Sequence, residues 1–80
     1  MKKPSQMLRD YRVSRGISQK FIAQKTGFSI QKMSQIEHGN SRVTAEDFLR
    51  IIIDGFGTTP QLFFDDQLSK AENLAGNSTS

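Results

Sequence analysis

The chain has no cysteine and only one histidine, His38, among its 80 residues. Without thiols there is neither a disulfide framework nor a thiolate zinc site, and a lone imidazole does not build the usual metal or nucleophilic constellations. Long apolar runs are missing as well. Ile51-Ile52-Ile53 is typical of the longest, far short of the roughly 20 residues that a bilayer crossing needs. Met1-Lys2-Lys3 leads into polar sequence rather than into the apolar core of a signal peptide. Strand-like alternation is scarce too, the isoleucine triplet being the one ambiguous stretch. These absences point away from an enzyme, a metal centre, a bound cofactor and a membrane protein. The expectation is a soluble cytoplasmic chain with no cofactor and no metal. At 24% charged and 35% hydrophobic residues it is one small domain, near the length at which a single core only just supports folding.

What is present is an uneven distribution of charge. The net charge of +3 is unremarkable until it is divided along the chain. Residues 1–42 carry Lys2, Lys3, Arg9, Arg12, Arg15, Lys20, Lys25, Lys32 and Arg42 against Asp10 and Glu37, a balance of +7. Residues 43–80 carry Arg50 and Lys70 against Glu46, Asp47, Asp54, Asp65, Asp66 and Glu72, a balance of −4. A basic half on a compact body is the footprint of a protein that meets a polyanion such as nucleic acid. Solvated lysines on an ordinary small basic domain would give the same balance.

Punctuation predicts five short helices and an all-α fold. Pro4 and Ser5 start the first, with Met7, Leu8 and Tyr11 at helical spacing and Gly16 as its stop. Ser18 caps the second, which passes through Phe21, Ile22 and Ala23 to Gly27. Ser29 caps the third, which ends at His38 before Gly39-Asn40. Thr44, with Asp47 three residues on, resembles a capping box opening the fourth. Thr59-Pro60 starts a fifth turn ending near Phe64. After Asp66 the chain turns polar. The expected organisation is therefore a domain over 1–66 and a polar, partly disordered tail over 67–80, in which Leu68, Ala71, Leu74 and Ala75 could continue a weak helix.

The informative stretch is Gln19 to His38, QKFIAQKTGFSIQKMSQIEH. Two helices joined by a short turn pack steeply only if a small side chain faces the partner helix and the turn can reach positive φ. Ala23 and Gly27 supply these two features. Phe28, Met33 and Ile36 form the apolar side of the second helix of the pair. On these residues the chain resembles the lambdoid phage repressor and Cro group, the XRE family. The likeness runs from about Leu8 to Phe64. It rests on the SQKFIAQKTGFS run, on IEHG where the family commonly has I-E-N-G, and on a glycine after each of the first three helices. It implies a compact five-helix, lambda-repressor-like DNA-binding domain whose helix-turn-helix lies at helices 2 and 3.

At about 100° per residue, Met33 and Ile36 mark the buried side of the third helix, and Gln31, Ser34, Gln35 and His38 point the other way. Gln31 and Gln35 lie one turn apart, and the glutamine amide matches the acceptor and donor pair of adenine N7 and N6 in the major groove. They are the leading base-reading candidates, with Ser34 beside them. Ile30, at the edge of this face, either touches a thymine methyl or helps to seal the core. The resemblance implies that Gln19, at the positive end of the second helix, clamps the DNA backbone, assisted by Ser18 and Lys20. Lys32, His38, Asn40, Ser41 and Arg42 are further phosphate candidates, and His38 also admits a reading as a pH switch. The resemblance further implies a structural ion pair between Arg12 and Glu37, an acid that would be a liability beside phosphates unless paired.

Helix 4 departs from the family pattern, because Ile53-Asp54-Gly55-Phe56-Gly57 holds one residue more than is common before the fifth helix. Phe48, Leu49, Ile51, Ile52, Ile53 and Phe56 sweep about 200° of a helical wheel, wider than one buried face. Leu49 and Ile53, with Phe63 and Phe64, are candidates for a dimer interface; the fifth helix and tail could instead cover them within one chain. One helix reads too few base pairs to select a genomic site, so the expected partners are double-stranded DNA and a second copy of the chain on a palindromic operator. The expected function is a transcriptional regulator, most simply a repressor, of bacterial, phage or plasmid origin. The alternative is a protein-interaction module, an antitoxin or an antirepressor-bound adaptor, working through the helix 4 and 5 surface with a protein partner.

Overall fold

The computed structural model describes residues 2–39 and 42–79, with side chains described up to residue 69. Five α-helices follow one another: α1 (Pro4–Ser14), α2 (Gln19–Thr26), α3 (Ile30–His38), α4 (Ala45–Arg50) and α5 (Pro60–Thr79). A single π-helical turn, Ile51–Gly55, continues directly from α4. Among the described residues there is no strand.

The starts of four helices are set by side-chain caps, among them α5, where Thr59 Oγ1 accepts from the Leu62 amide at 3.1 Å. Ser18 Oγ accepts from the Phe21 amide at 3.1 Å, Ser29 Oγ from the Lys32 amide at 3.0 Å, and Thr44 Oγ1 from the Asp47 amide at 3.1 Å. Each hydroxyl satisfies an amide that lacks a partner within its own helix. Between α2 and α3 the chain turns through Gly27 at φ +82°, a left-handed conformation that any side chain would strain. Thr26 completes the turn from inside. Its hydroxyl donates to the Ile22 carbonyl at 2.8 Å and accepts from the Phe28 amide at 3.3 Å.

The core is drawn from every helical element but α4: Leu8 and Tyr11 of α1, Ile22 and Ala23 of α2, Met33 and Ile36 of α3, Ile51 and Ile52 of the π turn, and Phe63 of α5. The π turn packs chiefly on α2, while α1 and α2 each pack on α3. Its diagnostic bond runs from the Phe56 amide back five residues to the Ile51 carbonyl at 2.8 Å. A wide turn of this kind holds one residue more than an α-helical turn. That is how the extra residue in Ile53–Gly57 is absorbed, and Gly55 returns to the buried side with Phe56 partly buried. Gly55 is required there by proximity, since a Cβ would stand 3.0 Å from Ile22 Cγ2.

Two expectations for the C-terminal half are corrected. Phe63 does not belong to an exposed interface. It is 0% exposed, wedged against Tyr11 (ring centroids 5.0 Å apart), Phe48 (5.8 Å) and Phe56 (6.1 Å). The adjacent Phe64 faces outward instead, because neighbouring helical residues lie about 100° apart. The fifth helix also does not stop near Phe64, but runs unbroken to Thr79. No glycine or proline interrupts residues 61–75, so nothing in that stretch ends the helix. Leu49, Ile53 and Phe64 remain exposed, joined by Leu62 and Leu68 of α5.

Candidate nucleic-acid interface

The site is built on α3. Met33, Ile36 and Glu37 fasten one side of this helix to the core, which leaves Gln31 and Gln35 exposed one turn apart on the other. Ser34 is partly buried between the two sides, and Ile30 is half exposed at the first position of the helix. His38 closes the outward face. Its Nδ1 lies 2.7 Å from the Ser34 carbonyl oxygen and 3.2 Å from Ser34 Oγ. Because a carbonyl only accepts, Nδ1 carries the proton in that bond and Nε2 is left as the ring's outward atom.

Beneath this face lies a buried polar hub that ties together the parts of the helix-turn-helix. Arg12 Nε donates to Glu37 Oε2 at 2.6 Å and Arg12 Nη2 to Glu37 Oε1 at 2.9 Å, a two-pronged contact between α1 and α3. The Glu37 side chain is 1% exposed. Arg12 Nη1 donates to the Ile17 carbonyl at 2.7 Å, which anchors the loop leading into α2. Gln19 Nε2 donates to Glu37 Oε1 at 3.0 Å. Glu37 therefore holds Gln19 at the start of α2, and the second N–H of that amide is available to an acceptor. The bond between Gln19 and Glu37 was not anticipated from the sequence. The signal available was the isolation of Glu37 among basic residues.

The remaining phosphate candidates differ in setting. Ser18 spends its hydroxyl oxygen on the α2 cap, and Lys20 is exposed beside it. Lys32 leans toward α4, with Nζ 3.2 Å from Asp47 Oδ2 and 4.2 Å from the centre of the Phe28 ring. Arg42 is exposed. Asn40 and Ser41 lie outside the described residues. Other acidic side chains also meet basic ones: Glu46 lies 3.8 Å from Arg50, and Asp66 of α5 lies 3.4 Å from Arg15. Among the described residues no cluster of His, Cys, Asp or Glu is placed to hold a metal ion, and no helix is long and apolar enough to cross a membrane.

A small capped helix standing on a scaffold helix, with an amide-rich outer face and a basic surround, is matched by a family model described as a helix-turn-helix domain over residues 5–63. This chain belongs to the helix-turn-helix domain family of DNA-binding regulators. Among solved structures it is similar to the wild-type restriction-modification controller protein C.Esp1396I and to a point mutant of that protein. Each match has a TM-score of 0.72 at 20% identity and covers 88% of this chain and 90% of the other. At that identity the likeness speaks for the fold. No curated protein matches the chain.

Proposed function

We propose that this helix-turn-helix protein is a sequence-specific transcriptional regulator that binds a palindromic operator as a homodimer and represses by occluding promoter DNA. The observation that carries the reading is the outward face of α3, where Gln31 and Gln35 stand clear of the chain's own core. In the major groove their amides pair with adenine N6 and N7, with Ser34 as an adaptable neighbour. Ser18, Gln19 and Lys20 at the start of α2, and Lys32, His38, Asn40, Ser41 and Arg42 on α3 and in the stretch after it, supply the contacts to phosphate that position the reading helix. The Arg12–Glu37–Gln19 hub keeps the two sets in register. Leu49, Ile53 and Phe64, exposed on α4, the π turn and α5, join two copies so that their α3 helices meet half-sites about 34 to 36 Å apart. The controller protein among the similar structures is a regulator of comparable size and fold.

Selection of bound fragments from random duplex DNA tests this reading. The expected result is a short inverted repeat, with Gln31→Ala relaxing preference at one base pair per half-site at a cost of about 1 to 3 kcal/mol. Enrichment of no sequence, with binding that follows charge alone, would refute it. If a protein partner were captured through Leu49, Ile53 and Phe64 regardless of Gln31 and Gln35, the chain would instead be an interaction module.

A further inference from the structure

Ile30 is the apolar residue of the reading helix that the core covers only by half. It stands at the first position of α3 with 50% of its surface exposed, while the buried side is supplied by Met33 and Ile36. Helix propensity does not account for the exposed half, since isoleucine is a poorer helix former than alanine, glutamine or lysine. Its position suggests a contact outside the chain. Ile30 and Ser34 lie one turn apart in a column next to the column of Gln31 and Gln35. In the major groove an A·T pair sets adenine N7 and N6 beside thymine O4 and the thymine C5-methyl group. An amide column flanked by an apolar side chain is complementary to that arrangement.

We propose that Ile30 reads the C5-methyl group of a pyrimidine in each half-site, so that the protein discriminates methylated from unmethylated pyrimidine rings at one position. The inference rests on the DNA-reading function proposed above and adds a ligand group to it. The apolar side chain covers the methyl and excludes water from it. Removing that methyl costs about fourfold in affinity, the worth of one buried carbon group.

The experiment replaces each thymine of the selected duplex singly with uracil and measures the affinity of the full chain by fluorescence anisotropy. One thymine per half-site is expected at which uracil weakens binding about fourfold. In Ile30→Ser that penalty disappears, while dependence on Gln31 at its own base pair persists. At the same position a C·G pair binds more tightly when its cytosine carries a 5-methyl group. Equal binding of every uracil duplex and its thymine parent overturns the inference and leaves the regulator reading standing, and this arm needs no variant. A uracil penalty that survives in folded Ile30→Ser overturns it in the same way. If the selection returns no preferred duplex, the regulator reading fails and this inference fails with it.

Discussion

Replacing Arg12 with alanine tests how the basic half of the molecule is held together. The change removes two hydrogen bonds from Glu37 and one from the Ile17 carbonyl. Glu37 stays behind with its side chain 1% exposed and the Gln19 amide as its remaining hydrogen-bond donor from a side chain. Stranding a buried carboxylate in this way costs about 3 to 5 kcal/mol, whereas losing an exposed pair costs at most about 1 kcal/mol. A chain of this length has a total stability on the order of 4 to 12 kcal/mol, so the loss is a large fraction of what there is. At about 4 to 8 °C per kcal/mol for a domain of this size, the melting midpoint falls by more than about 12 °C. Urea unfolding followed by circular dichroism should show the midpoint displaced with the slope unchanged. Arg12→Met combined with Glu37→Met, which removes both charges, should lie closer to the parent than Arg12→Ala does. A loss below about 1 kcal/mol for Arg12→Ala would refute the reasoning, because the carboxylate would then be solvated after all.

Three further outcomes can be checked independently. Gly55→Ala puts a Cβ 3.0 Å from Ile22 Cγ2 and 3.4 Å from Thr26 Cγ2; overpacking of about 1 to 3 kcal/mol should outweigh the entropic gain of removing a glycine and lower the thermal midpoint. Arg42→Ala should weaken binding to all duplexes alike and reduce the slope of log affinity against log salt by about one, as measured by titrations at several salt concentrations. Leu49→Lys with Ile53→Lys should convert a dimer to a folded monomer in light scattering and weaken operator binding, with the helical circular dichroism signal retained, since both side chains are exposed in the single chain.

Much of the fold as far as α4 was legible because its determinants are local. Ser18, Ser29 and Thr44 announce helix starts by a hydroxyl one residue ahead of a helical run, and Gly27 announces a turn that needs positive φ. Met33 and Ile36 share a face by helical arithmetic alone. The C-terminal half depends on long-range packing. Which of Phe63 and Phe64 enters the core is decided by where Tyr11 and Phe56 stand, 52 and 7 residues away from Phe63, and both readings satisfy the local pattern. The surplus residue after helix 4 was visible as a count. Its resolution into a π turn was not, because no residue type marks such a turn and the close approach of Gly55 to Ile22 joins residues far apart in the sequence. At the site, the outward positions of Gln31 and Gln35 follow from spacing. The link from Gln19 to Glu37 spans 18 residues and needed coordinates. The hydroxyl of Thr26, which serves the turn from within, carried no signal that would set it apart from any surface threonine.

The widened turn at Ile51–Gly55 packs on α2 and itself carries Ile53, one of the side chains that would join two copies in the proposed reading. A residue added or removed there would shift Ile53 and α5 against α2, while the side chains that α3 presents stay the same. In a paired assembly, a change of length at this joint would alter the separation and tilt of the two heads without changing which bases either head prefers. Relatives that differ here by one residue are thus expected to share half-site letters and to differ in the gap between them.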